Sequence, residues 1–283
     1  MRGGKKVNVL ALIGCPVAHS KSPRMFNTAF QDTQLPYVYL AHHVEPHQLE
    51  MAVNGLKTLG YEGFNVTIPY KETMMNLVDE LDESAQVIGA INTVVHREGK
   101  WIGYNTDGAG YLRSLRESIA IDLNHCKVVM IGAGGAARAV GYALCTHGIQ
   151  HLTIVNRTVK KANELANQLA SRGQTNFLAL ADAEEVIAQA DLIINTTSVG
   201  MHPHTKQSPI PIDWIGAHHI VSDLVYNPLH TALLQGAEKK GAKIHTGDGM
   251  LLYQAAIAWE LWTSRPAPIP VMKKALEQAN SYT

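Results

Sequence analysis

Short apolar runs rich in β-branched residues recur along the chain, separated by longer segments whose apolar positions repeat at helical spacing. That alternation predicts βα units with parallel strands, and therefore an α/β fold. VNVLALIG reads as a first strand, the segment after Ser22-Pro23 as a helix, and YVYLAHHV as a second strand. PHQLEMAVNGLKTLG reads as a helix ended by Gly60, GFNVTI as a third strand, and KETMMNLVDEL as another helix. In AINTVVHREGKWIGYNT two β-rich runs flank a polar tip at 97–100, which predicts a hairpin. A second block opens at about Asp107. There KVVMIGAGGAARAVGYALCTHG is strand, glycine loop, helix and terminal glycine, and HLTIVNRT is the next strand. ADLIINTTSVGM and HHIVSDLVYNP are two further strand-to-loop transitions. MLLYQAAIAWELWT, just after Gly249, is apolar on most helical faces and predicts a buried helix; periodicity leaves open which block it packs against.

Composition narrows the partner. With 283 residues, 46% hydrophobic and 17% charged, the chain can fill one large or two ordinary domains. Lysine plus arginine equals aspartate plus glutamate at 24 each, and no long run of like charge attracts nucleic acid or an anionic membrane, so a small molecule is the expected partner. Cys15, Cys126 and Cys145 are widely spaced and outside any CxxC pattern, which fits a reducing compartment and neither a disulfide framework nor a zinc cluster. The opening MRGGKKVNVLALIGC loosely resembles a lipoprotein signal. Its apolar stretch is broken by Asn8 and sits at the lower limit of the ~7 to 15 residues such a signal needs, and a strand entering a loop explains it equally. No window approaches the ~18 consecutive apolar residues of a membrane helix. A cytoplasmic monomer or homodimer is expected.

Gly132-Ala133-Gly134-Gly135-Ala136-Ala137-Arg138 follows a buried-type strand and opens a helix, the context in which GxGxx(G/A) becomes a dinucleotide fingerprint. Gly132 permits the tight turn, Gly134 lets the backbone approach a pyrophosphate, and small Ala137 lets the helix pack on its strand. The helix N-terminus adds N–H groups and partial positive charge. A unit that binds NAD places an acid about 20 residues further on, for the ribose 2′-hydroxyl. Here the strand ends in Asn156-Arg157-Thr158, with Lys160 and Lys161 beyond and no acid before Glu164. Cations there suit a 2′-phosphate, which an arginine fork can pair bidentately. NADP(H) is therefore the expected cofactor, with Arg157 as its main reader and Lys161 in support.

The first block carries polar residues where its strands end: His19-Ser20-Lys21-Ser22-Pro23, then Asn65, Thr67 and Lys71, then Asn92-Thr93 and Asn105-Thr106-Asp107. In an open parallel sheet ligands bind outside the carboxyl ends of the strands, so these segments can converge on one pocket. Hydroxyls and amides with one cation and one carboxylate suit a small polyhydroxylated acid. Each residue also has a local use: Ser20 and Ser22 can cap a helix, and Asn65 and Asn105 can satisfy loops.

HSKSP, NVTIPYK, GAINTV, GYNTDG, GAGGAAR, NRT, NTTSVGM, DLVYNP and GMLLYQA, in that order, resemble the shikimate dehydrogenase family over residues 19–256. The resemblance implies an NADPH-dependent oxidoreductase interconverting 3-dehydroshikimate and shikimate, in the pathway to chorismate and aromatic amino acids. It implies two α/β domains: a discontinuous, mostly parallel-sheet substrate domain (1–106 plus 248–283) around a Rossmann NADP-binding domain (107–247). Carried over, the family pattern puts substrate contacts at Ser20, Ser22, Asn65, Thr67, Lys71, Asn92, Asp107, Tyr226 and Gln254, with Lys71 and Asp107 as the catalytic pair. Cofactor contacts fall on 132–138, on Asn156, Arg157 and Thr158, and near Thr196, Leu224 and Gly247. The chain departs from the family at Lys21, where a leucine is common; the extra cation lies beside a site for a carboxylate-bearing substrate.

Reduction of a ketone needs a hydride at carbon and a proton for the developing alkoxide. Lys71 is expected to supply that proton, and to accept it in the oxidation direction, with Asp107 orienting the ammonium and sharing the role. No metal is expected. Of the fourteen histidines, His42 and His43 are strand neighbours that face opposite ways, while His202 and His204 lack an acidic or cysteine partner. The neighbouring reading is a quinate/shikimate dehydrogenase of broader substrate or cofactor use. NRTVKK argues against NAD, and nothing separates quinate from shikimate. A non-catalytic sensor would have lost Lys71 or Asp107, and a methyltransferase would need the missing acidic ribose ligand.

Overall fold

A computed structural model describes residues 7–280. The chain divides into two compact units, one running to Thr106 and resuming at Gln254, the other Asp107–Tyr253. In the first lie β1 (Asn8–Gly14), α1 (Ser22–Asp32), β2 (Tyr37–His43), α2 (Leu49–Thr58), β3 (Gly63–Val66), β4 (Glu80–Leu81), α3 (Glu83–Ile88), β5 (Thr93–Arg97) and β6 (Lys100–Tyr104). The second holds α4 (Asp107–Ser118), β7 (Lys127–Ile131), α5 (Gly135–Thr146), β8 (His151–Asn156), α6 (Val159–Leu169), β9 (Gln174–Ala179), α7 (Glu184–Ala188), β10 (Leu192–Asn195), β11 (Ile220–Asp223), α8 (Ala232–Lys239) and β12 (Lys243–His245). The division falls inside α9 (Asp248–Thr263), and α10 (Ile269–Asn280) follows.

The first sheet has the order β2-β1-β3-β5-β6-β4. β1 pairs in parallel with both neighbours, and the expected hairpin appears as antiparallel β5 and β6. β1 is flanked by parallel strands and covered on both sides, so it is apolar on both faces; Leu10 through Ile13 are at most 3% exposed. On one face Ala11, Ile13, Phe64, Val66 and Val94 pack with Val53 and Leu56 of α2. The other face carries an aromatic stack: Phe26 lies on Tyr39 at 4.5 Å between ring centroids, and Phe30 lies on Trp259 at 4.5 Å. Trp262 donates its indole N–H to the Val94 carbonyl at 3.0 Å. The stretch from Gln254 thus packs on the first sheet, which periodicity leaves open. No residue of α9 is fully exposed to solvent, as its all-round apolar pattern predicts.

The second sheet is parallel throughout, ordered β12-β11-β10-β7-β8-β9. This is the doubly wound order of a Rossmann fold, with its reversal between β7 and β10. Successive residues of β7 serve opposite layers: Val128 and Met130 pack with α4, α5 and α6, while Val129 and Ile131 pack with α7 and α8.

KETMMNLVDEL is a correction. It is a turn, a short 3₁₀ segment at Thr73–Asn76 and the strand β4, not an α-helix. Met74 is fully buried against the first sheet, and β4 pairs with β6, so non-local burial and pairing outweigh helical periodicity. Lys71 consequently sits in a turn, not at a helix start. β9 and β12, absent from the sequence reading, are edge strands. β9 is largely exposed and therefore lacks an apolar run.

Gly63 tests this packing. A Cβ there would collide with the Trp262 indole nitrogen and the Val94 carbonyl, which are bonded to each other. Gly63→Ala should destabilise the first unit by about 1–3 kcal/mol. Gly55→Ala, on α2 with no atom within 4 Å of the new methyl, should be neutral or gain up to about 1 kcal/mol. Thermal unfolding of both variants checks the contrast.

Candidate active site

At the carboxyl ends of β1 and β3 the chain is tied down before any polar side chain is placed. Thr67 N–H donates to Ile13 O at 2.9 Å, Cys15 N–H to Ile68 O at 3.0 Å, and Tyr70 N–H to Thr67 O at 3.0 Å. Lys71 O accepts from Ile91 N–H at 2.8 Å, which fixes the backbone of the lysine one residue from Asn92. Gly14 is required, because a Cβ would strike the Thr67 methyl.

The first unit's polar residues form one buried network. Register sets Asn65 opposite Thr93. The Asn65 amide donates to Asn92 O and Thr93 Oγ1, both at 3.0 Å, and its oxygen accepts from Tyr39 OH at 2.7 Å. Ser22 hydrogen-bonds the same phenol, whose pKa burial pushes well above the usual tyrosine range. Asn92, 3% exposed, accepts from Thr106 N–H at 2.9 Å and donates to Thr106 Oγ1 at 2.9 Å and to Gln254 Oε1 at 3.4 Å. Thr106 Oγ1 in turn donates to Gln254 O at 3.0 Å. Ser20 Oγ accepts from Ser22 N–H at 3.3 Å at the start of α1. Ser22, Asn65, Asn92 and Gln254 are thus linked through protein groups, and Ser20 is tied to Ser22. Thr67 and Lys71 stand partly exposed beyond the end of β3. Sequence reasoning misses Tyr39: it reads as one more aromatic of a strand, and its partner Asn65 lies 26 positions away.

In the second unit the strands end in side chains that bond backbone. Asn156 Nδ2 donates to Thr158 O at 3.0 Å. Asn195 accepts from Thr197 N–H at 3.0 Å and donates to Asp223 Oδ1 at 2.9 Å; Asp223 accepts from Val225 N–H at 3.0 Å and Thr231 Oγ1 at 2.6 Å. Burial raises the Asp223 pKa against these donors. The network shapes the loops that bear Thr196 and Leu224, and Gly247 lies so close to Leu224 O that a Cβ would clash. Asp107, partly buried, opens α4, and Tyr226 is 46% exposed.

The glycine loop fits a dinucleotide. Gly132 has φ +114°, a conformation side chains disfavour, and a Cβ there would strike Thr196 Oγ1. Gly134 is exposed, with no atom within 4 Å of a Cβ, so its backbone is open to a ligand at the N-terminus of α5. Ala137 is fully buried against the sheet. Arg157, Thr158 and Lys161 are exposed at the end of β8, where an NAD site would carry an acid.

Three family models match: the shikimate dehydrogenase substrate binding domain at 12–94, shikimate / quinate 5-dehydrogenase at 114–208, and the shikimate 5'-dehydrogenase C-terminal domain at 247–277. A shikimate dehydrogenase (NADP(+)) of Methanopyrus kandleri is 49% identical over 276 residues, 96% of this chain and 95% of that protein. The chain belongs to the shikimate dehydrogenase family. Among family structures, the Thermus thermophilus enzyme in complex with NADP(H) and shikimate superposes with a TM-score of 0.87 at 35% identity, covering 96% of this chain and all of that one (100%). The Listeria monocytogenes enzyme in complex with shikimate and NAD gives 0.91 at 34% identity, with 98% of each chain covered.

A second buried network lies in the same unit. His245 bonds Ser222 Oγ and Ser114 Oγ, each at 2.9 Å, and Tyr111 OH donates to Ser222 Oγ at 3.1 Å. Burial, partly opposed by Asp248, lowers the His245 pKa from 6.5 to about 4. The unfolded chain takes up the proton below pH 6.5 and the folded one only near 4, so this stability is present above 6.5 and is lost as pH falls towards 4. The loss amounts to about 3 kcal/mol. His245→Gln should remove that part of the decline, read by comparing the two chains in urea unfolding from pH 7 to 4.

Proposed function

We propose that this chain catalyses the reversible NADPH-dependent reduction of 3-dehydroshikimate to shikimate, in the cytoplasm, on the route to chorismate and aromatic amino acids. The observation that carries the reading is the anchored turn that holds Lys71 beside the buried Asn65–Asn92–Gln254 network, within a chain of this family. The unit ending at Thr106 and resuming at Gln254 binds the substrate, and Asp107–Tyr253 binds the nucleotide.

NADPH, when bound, supplies the hydride to the carbonyl carbon. Lys71 donates the proton to the developing alkoxide and takes it back in oxidation, with Asp107 acting on the same oxygen. Ser20, Ser22, Thr67 and Tyr226 offer hydroxyls to a polyhydroxylated acid. Asn65, Asn92 and Gln254 contact the same acid from the buried network that orients their amides. Backbone N–H groups at 132–138 receive the pyrophosphate, and Arg157 with Lys161 pairs the 2′-phosphate. Quinate is the second substrate to compare, since the matching family model covers both activities.

Lys71→Ala should lower kcat by about 10²–10⁴-fold with KM changed only a few-fold. The reverse pattern in steady-state kinetics would make Lys71 a binding residue. Arg157→Asp removes charge-assisted hydrogen bonds of about 1.5–3 kcal/mol, so the NADPH-over-NADH preference in kcat/KM should fall by about 10–100-fold. An unchanged preference would exclude Arg157 as the reader of the 2′-phosphate.

A further inference from the structure

The carboxyl ends of β1 and β2 bring together three side chains that the proposed reaction does not use. Cys15 Sγ lies 3.5 Å from His43 Nε2 and 4.0 Å from Glu45 Oε2, and His43 Nε2 lies 2.9 Å from Glu45 Oε1. All three donor groups fall within 4.8 Å of one another. A tetrahedral zinc ion with Zn–S ≈ 2.3 Å and Zn–N or Zn–O ≈ 2.1 Å sets its ligand atoms about 3.6 Å apart for sulfur with nitrogen or oxygen, and about 3.4 Å for nitrogen with oxygen. The sulfur separations, 3.5 and 4.0 Å, bracket the first value. The imidazole–carboxylate separation, 2.9 Å to the other carboxylate oxygen, is shorter than the second and needs a small side-chain rotation to admit the ion.

The segments that bear the ligands are themselves fixed. Gly14 pairs with His43 in the parallel register, and Val44 N–H donates to Gly14 O at 3.1 Å. Cys15 N–H is bound to Ile68 O at 3.0 Å. On the inner side the Tyr70 phenol hydrogen-bonds Cys15 and donates to the Val44 carbonyl. On the outer side His43 and Glu45 are 48% and 51% exposed, which leaves a fourth coordination position to solvent. The alternative account is a metal-free cluster, an exposed His43–Glu45 ion pair with the thiol hydrogen-bonded to both partners and to Tyr70, and the thiolate–metal readouts below separate the two.

We propose that Cys15, His43 and Glu45 form a binding site for one zinc ion or a similar borderline-soft divalent cation. A thiolate with an imidazole and a carboxylate selects zinc or cobalt over magnesium, which takes oxygen ligands in octahedral geometry. The strand rule that separates His42 from His43 is respected, because His43 finds its partners two residues on and across to the end of the neighbouring strand. The site is distinct from the oxidoreductase chemistry proposed above and stands or falls without it.

The test uses the untagged full-length chain under reducing conditions. Titration calorimetry should show one zinc ion per chain, and cobalt(II) should give a thiolate-to-metal charge-transfer band. Cys15→Ser should abolish the band. His43→Gln and Glu45→Gln should each weaken zinc binding at least about 10-fold. Excess magnesium should not compete, and a His202→Gln/His204→Gln variant should bind as the parent does. Cys126 and Cys145 are buried while Cys15 is partly exposed, so alkylation of the native chain reports Cys15, and zinc should protect it. Zinc binding unaltered in Cys15→Ser, absence of the cobalt–thiolate band, or undiminished alkylation in saturating zinc would each overturn the assignment.

Discussion

The first unit depends on the burial of one primary amide. Asn92 is 3% exposed, and a buried amide left unpaired costs about 1–3 kcal/mol for each group. Its side chain meets that demand with Thr106 and Gln254, and its backbone oxygen with Asn65 and Val66 N–H. Four stretches of chain far apart in sequence are therefore fixed together: the end of β3, the entry to β5, the residues before α4, and α9. Partly satisfied, such a network would be worse than an apolar core; satisfied, it allows little freedom to the groups around it.

The second unit solves a similar problem at the carboxyl edge of a fully parallel sheet. β8, β10 and β11 end in Asn156, Asn195 and Asp223, each bonding the loop that follows. Short polar side chains suit this position because they satisfy backbone that has just left the ladder. β7 ends differently, at Gly132, where φ +114° and the contact with Thr196 admit no side chain. Three strands thus hold the loops that follow them in shape, while the loop after β7 presents glycine backbone at Gly134.

Lys71, the proposed proton donor, is held by the same architecture. Helical periodicity places it at a helix start, where the dipole disfavours a cation. The turn found there relieves that conflict and ties its carbonyl to Ile91, so the lysine belongs to the same framework as Asn92. The aromatic cluster behind the sheet ties α9 to it: Trp259 stacks on Phe30, and Trp262 packs at a tilt against Phe26 and Tyr39. Gln254 stands on the same helix.

Features set by a few adjacent residues were legible in the sequence. The parallel core strands, the strand–glycine–helix loop, the cations after β8, the hairpin and the all-round apolar α9 each follow from local sterics, charge or periodicity. The misread segment and the missed elements need distant partners. Met74 is buried by a sheet it does not belong to, β4 exists because β6 lies beside it, and the exposed edge strand β9 has no apolar run to announce it. The same holds for Tyr39 with Asn65, Asn195 with Asp223 and Thr231, and His245 with Ser114 and Ser222. By itself the sequence determined the fold class and the family, and it singled out the residue types proposed to carry the chemistry, because backbone propensity and motif spacing act over a turn or a strand. Only the tertiary structure decided which amides and hydroxyls join the first unit's buried network, and which thiol, imidazole and carboxylate meet where β1 and β2 end. Hydrogen bonds and coordination reach about 3 Å through space, with no regard for distance along the chain.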